Sequence, residues 1–86
     1  MAILEDGPNA ARSKEFYQQH IGYVLRHLNS GKILAAGPTD GHTAIMLLAT
    51  RDWREAEGIL KDEPFTREGV LKIASHYVWN ACEAAK

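Results

Sequence analysis

Apolar residues recur along this chain at two spacings, and each spacing predicts a different kind of element. Between about Ala10 and Asn29, the residues Phe16, Tyr17, Ile21, Val24, Leu25 and Leu28 return every three or four positions, the period of one helical face. Asn29-Ser30-Gly31 ends that pattern, with Gly31 available as the left-handed residue beyond the last turn. Elsewhere the apolar runs are short and bounded by turn residues. Ala2-Ile3-Leu4-Glu5 stops at Asp6-Gly7-Pro8-Asn9 and reads as a brief strand. Lys32 to Ala36 and His42 to Ala49 read as the arms of a hairpin around Gly37-Pro38-Thr39-Asp40-Gly41. In that turn Pro38 presets a corner and Gly41 can take positive φ. Thr50 stands at an N-cap position with Asp52 in the first turn, and Trp53, Ala56, Ile59 and Leu60 form the apolar stripe of a second helix ending near Lys61. Asp62-Glu63-Pro64-Phe65 breaks it, because Pro64 disfavours helical geometry in the residue before it. After a link through Gly69, Val70 to Trp79 reads as a mixed-face strand, with Leu71, Ile73, Tyr77 and Trp79 on one parity and Lys72 and His76 on the other. Asn80 to Lys86 carries no assignable pattern.

The order strand, helix, strand, strand, helix, strand is the split βαβ arrangement of a ferredoxin-like α+β domain. Two helices cover one face of its four-stranded antiparallel sheet. The other face should be polar unless something packs on it. Yet the strands carry apolar residues on both parities, as Ile45 and Leu47 do beside Ala44, Met46 and Leu48. An uncovered apolar face predicts a partner sheet, and hence a homodimer.

The length of 86 residues sharpens that expectation, since one domain of this size buries only about 60–65% of the surface its unfolded chain exposes. Small domains without disulfide or metal staples commonly gain stability by oligomerising. The lone Cys82 forms no internal disulfide, and MAILEDGPNA lacks the basic start and apolar run of a secretory signal, so a cytoplasmic location is expected. No apolar run approaches the roughly 20 residues of a membrane span; the longest is Ala44 to Ala49. Ten Lys and Arg against eleven Asp and Glu, scattered along the chain, make no phosphate-tracking stripe, which argues against a nucleic-acid partner.

Candidate chemistry centres on His20. At 100° per residue it falls on the apolar side of the first helix, near Phe16 and Val24 and away from Gln18, Gln19 and Arg26. An imidazole there can act as a general acid or base near neutrality. Spacing alone favours, by roughly two to one, a core histidine bonded to a backbone carbonyl. Asp62 and Glu63 stand at a helix end beside Pro64, where a carboxylate can reach a cleft edge and orient an imidazole. Most such carboxylates are simply solvated. Asp40 can reach a pocket at the strand ends, although turn aspartates usually bond their own backbone. A metal site is not indicated. His20 and His27 share a helical face but stand about 10.5 Å apart along it, and no HExxH or Cys–His spacing occurs. Ser13, Ser30, Ser75 and Cys82 sit in no nucleophile motif, and the Gly37–Gly41 turn is not a phosphate loop.

Three landmarks occur in order: His20 in the first helix, Gly31-Lys32-Ile33-Leu34-Ala35-Ala36-Gly37-Pro38, and Glu63-Pro64-Phe65 followed by Gly69. Together they resemble the YCII-related family, whose pattern is a helical histidine, a Gly-x-hydrophobic-x-x-Ala-Gly-Pro stretch, then Asp-Pro-aromatic and a nearby glycine. The resemblance spans about Phe16 to Val70 and implies a single ferredoxin-like domain over residues 1–86 that forms a dimeric α/β barrel. It also implies a pocket bearing a histidine and an acid. His20 carries over directly. The acid is Glu63 where the family has aspartate, with Asp62 one position away, so either can serve. Gly37, Pro38 and Asp40 are the expected ligand-binding side. The expected function is proton transfer on a small organic substrate, as in a lyase or isomerase step, without a cofactor. The alternative is a non-catalytic dimeric module that binds a small molecule or supports another protein.

Overall fold

The computed structural model describes residues 1–79; Cys82 and the unassigned stretch Asn80–Lys86 lie outside the described residues. The elements run β1 (Ala2–Asp6), a 3-10 turn (Ala10–Arg12), α1 (Ser13–Ser30), β2 (Ile33–Pro38), β3 (Thr43–Leu48), α2 (Trp53–Asp62), α3 (Pro64–Arg67) and β4 (Leu71–His76). The four strands make one antiparallel sheet in the order β2-β3-β1-β4. This is the α+β, ferredoxin-like arrangement, with the first and third strands at its centre.

Ladder partners share a face of the sheet, so the register sorts the strand residues. Ala2 and Leu4 pair with Met46 and Ala44, and these face the helices. They join Val24, Ile33 and Leu60 in the core. Ile3 pairs with Ile45, and Ala35 with Leu47, on the opposite face, which no element among the described residues covers. On α1 only Val24 is buried, while Tyr17 and Leu25, expected in its apolar stripe, are each 52% exposed at its margins. Gly31, at φ +80°, closes α1 as expected.

Four local expectations change. Asp52, not Thr50, caps α2: its side chain accepts the Glu55 N–H at 2.9 Å from an extended backbone. A carboxylate three residues before Glu55 is the better acceptor for that orphan donor. Pro38 ends β2 instead of opening the turn, which a proline tolerates on an edge strand. Positive φ falls on His42 (φ +62°) and not on Gly41. The Gly41 N–H is held by the Thr39 hydroxyl at 3.1 Å, so the chain reverses one residue later, and histidine is among the residues that tolerate it. Finally, β4 stops at His76, and the register shifts opposite Ile3 and Leu4. That bulge sets His76 across from Ala2, on the helix side, where its ring stacks on Trp53 at 3.7 Å.

The link expected after α2 contains the short helix α3. Its return into β4 is fastened to the end of β1. The Gly7 N–H donates to the Val70 carbonyl at 2.9 Å, the Asn9 N–H to that of Gly69 at 2.8 Å, and the Asn9 amide to that of Glu68 at 2.9 Å. A Cβ on Gly7 would lie 2.3 Å from the Gly69 oxygen, and Gly69 itself sits at φ +74°. Only glycines fit this crossing. Among the described residues no helix is long and apolar enough to cross a membrane.

Candidate active site

His20 lies in the middle of α1 on its sheet-facing side, and its side chain is 19% exposed. Glu63 occupies the junction where α2 ends and α3 begins. Its backbone is extended (φ −65°, ψ 129°), as the residue before a proline must be, and Pro64 takes the first position of α3, where no N–H is needed. The same residue therefore caps α3: Glu63 Oε2 accepts the Thr66 N–H at 3.1 Å and the Thr66 hydroxyl at 3.2 Å. Oε1 is left to face α1, where it meets His20 Nδ1. Glu63 is 2% exposed, yet its carboxylate oxygens are fully partnered.

A carboxylate at Glu63 has no proton to give, so in this pair His20 Nδ1–H donates and Oε1 accepts. This fixes the tautomer and leaves Nε2 without a protein partner among the described residues. Phe65, the second residue of α3, stacks flat on the imidazole at a centroid distance of 3.9 Å and an interplanar angle of 3°. The ring is thus clamped in plane by one carboxylate and on one face by one aromatic.

His20, Glu63 and Phe65 form one wall of a cleft of about 600 Å³ between α1 and the helix-facing ends of β2 and β3. Gly37, Pro38 and Asp40, from the end of β2 and the β2–β3 turn, line the same cleft. The β2–β3 turn beyond them is braced by Thr39 and Thr43, whose hydroxyls are 2.6 Å apart. Asp40 makes no hydrogen bond among the described residues; the side-chain bonds of the turn come from Thr39.

A family model, the YCII-related domain, matches residues 1–80. The chain belongs to this family. Searches of curated proteins and of solved structures find no match.

In this YCII-related chain the structure brings His20, Glu63, Gly37, Pro38 and Asp40 to one cleft, and it places Asp62 elsewhere. Asp62 is the exposed last residue of α2 and lines a separate shallow cleft with Tyr23, Arg26, His27 and Ser30. There partial burial raises the Tyr23 phenol above its ordinary range, the charges of Asp62 and Glu63 add to the effect, and Arg26 opposes it. The Tyr23 hydroxyl donates to the Ile59 carbonyl at 2.7 Å. Glu63 is therefore the carboxylate geometrically able to serve His20.

Three contributors carry little signal in the sequence. Phe65 is one, because aromatic residues more often serve cores than sites. Thr66 is another, although Pro64 at a helix-starting position signals a cap at Glu63. His42, within the second arm of the hairpin by sequence, lines the cleft. Among the described residues no group of three His, Cys, Asp or Glu side chains is placed to hold a metal ion.

Proposed function

We propose that this YCII-related protein is a small acid–base enzyme in which His20 moves a proton on a small organic substrate, as in a lyase or isomerase step. Glu63 is the positioning residue: it holds Nδ1–H so that Nε2 faces the substrate, and it stabilises the imidazolium when His20 carries the extra proton. Gly37, Pro38 and Asp40 hold the substrate from the end of β2 and the β2–β3 turn. Proton transfer of this kind needs no cofactor. The observation that carries the reading is the His20–Glu63 pair, clamped by Phe65 on the wall of a cleft large enough for a small molecule.

The reading includes a homodimer. Its support is the apolar stripe Ile3, Ala35, Ile45 and Leu47 on the uncovered sheet face, in a chain too short to bury much surface alone.

The test is solvent deuterium incorporation into a panel of small carbonyl compounds, amino ketones among them, followed by mass spectrometry. The native protein should label at least one compound, and His20→Gln should label it at least about 10²-fold more slowly while remaining folded. Equal labelling by His20→Gln would refute the assignment. Binding of compounds without labelling by the native protein would favour the non-catalytic module instead.

A further inference from the structure

The cleft's charge is as informative as its shape. None of the described residues lining it is Lys or Arg. Three carboxylates line it from three separate elements: Asp6 at the end of β1, Asp40 in the β2–β3 turn and Glu63 at the α3 cap. Against them stand two imidazoles, His20 and His42. With the three carboxylates ionised, the formal charge of the lining is −3 with both rings neutral and −1 with both protonated.

Glu63 is committed to His20 and Thr66. Asp6 and Asp40 are exposed at the cleft, and neither side chain takes part in an ion pair or side-chain hydrogen bond among the described residues. The neighbouring Lys72 pairs with Glu5 on the other face of the sheet, at 3.5 Å. Between these charges the walls are apolar, and they include the rings of Tyr17 and Phe65. An aromatic face attracts a cation and gives an anion nothing.

We infer that the cleft takes a small organic cation, an apolar body carrying one protonated amine. The apolar part packs between α1 and the sheet, and the ammonium lies toward Asp6 and Asp40. A carboxylate or phosphate ligand would enter a cleft lined by three carboxylates with only the two imidazoles to oppose them, which costs binding energy. The inference rests on the cleft assigned above, but not on any reaction within it.

The experiment uses three probes of one shape on the full chain: benzylamine, benzyl alcohol and benzoate, titrated at low ionic strength near neutral pH and followed by two-dimensional amide spectra. Benzylamine should move the amides of Tyr17, Asp40 and Phe65 and bind at least about tenfold more tightly than benzoate, with benzyl alcohol between them. The double variant Asp6→Asn/Asp40→Asn should weaken benzylamine to the level of benzyl alcohol and leave the alcohol's Kd in place. Benzoate binding as tightly as benzylamine, or no benzylamine response at these amides up to about 20 mM, would overturn the inference. His20→Gln should keep the order of the three probes. Failure of the labelling experiment with that order intact would remove the catalytic reading alone, and labelling of an anionic compound with the order reversed would remove this inference alone.

Discussion

Glu63→Ala should be among the most damaging single substitutions in this chain, and its cost can be worked from contacts. Removing the carboxylate deletes the α3 cap made to the Thr66 N–H, worth about 1 kcal/mol. It also strands Nδ1 of a histidine whose side chain is only 19% exposed, at about 1–3 kcal/mol. Relief of the buried carboxylate's desolvation offsets part of this. The net loss should be about 2–3 kcal/mol, out of about 4–13 kcal/mol for a domain of 86 residues. At about 4–8 °C per kcal/mol, Tm should fall by roughly 10–20 °C. Asp62→Ala is the control. Asp62 is exposed, so its removal should change stability by less than about 0.5 kcal/mol. Urea unfolding followed by circular dichroism measures both variants, and a His20→Ala/Glu63→Ala cycle should show coupling of about 1–2 kcal/mol. A loss below about 1 kcal/mol for Glu63→Ala, or an equal loss for Asp62→Ala, would refute the assignment of Glu63 as the paired acid.

Other expectations follow from the same contacts. Gly7→Ala drives a Cβ to within 2.3 Å of the Gly69 oxygen, so the β1 end must part from the α3–β4 link, at about 2–4 kcal/mol by urea unfolding; a loss under about 1 kcal/mol would show that the crossing is not tight. Leu47→Glu puts a charge on the uncovered sheet face, and sedimentation should show it as single chains where the native protein sediments as pairs; native single chains at micromolar concentration would remove the homodimer. Lys32 and Arg51 hold the Glu55 carboxyl below its ordinary 4.5. Its contribution to stability is therefore present above that value and lost as pH falls through the lower, folded-state value. Glu55→Gln should flatten the acid limb of a stability–pH profile, and an unchanged limb would contradict the pairing.

The parts of the fold that were legible in the sequence are those where one periodicity acts alone. The helical recurrence from Phe16 to Leu28 and the turn residues around the hairpin were sufficient for the element order, and the order implied the sheet. The exposed Tyr17 and Leu25 show its limit, since periodicity marks a face but not how far the sheet extends beneath it. Features that depend on a competition between neighbours were not legible. Thr50 and Asp52 both suit a cap, and the carboxylate won. Gly41 and His42 could each take the reversal, and the Thr39 hydroxyl decided by holding Gly41. His20 could be placed on the inward side of α1, but the choice between Asp62 and Glu63 could not be made. It is settled geometrically by Pro64, which forces Glu63 out of the helix and turns its side chain toward α1 while Asp62 stays on the outer surface of α2. Pro64 both stops α2 and begins α3, and the sequence pattern displays only the first of these roles.

The central claim is that Glu63 holds His20 by Nδ1 and leaves Nε2 for chemistry. Nitrogen NMR of the imidazole in the labelled native protein tests it most directly. Nδ1 should carry its proton throughout, with only Nε2 gaining and losing one as pH changes. A neutral His20 with its proton on Nε2 and a bare Nδ1 would contradict the account, because such a ring cannot donate to the carboxylate and offers the cleft no base.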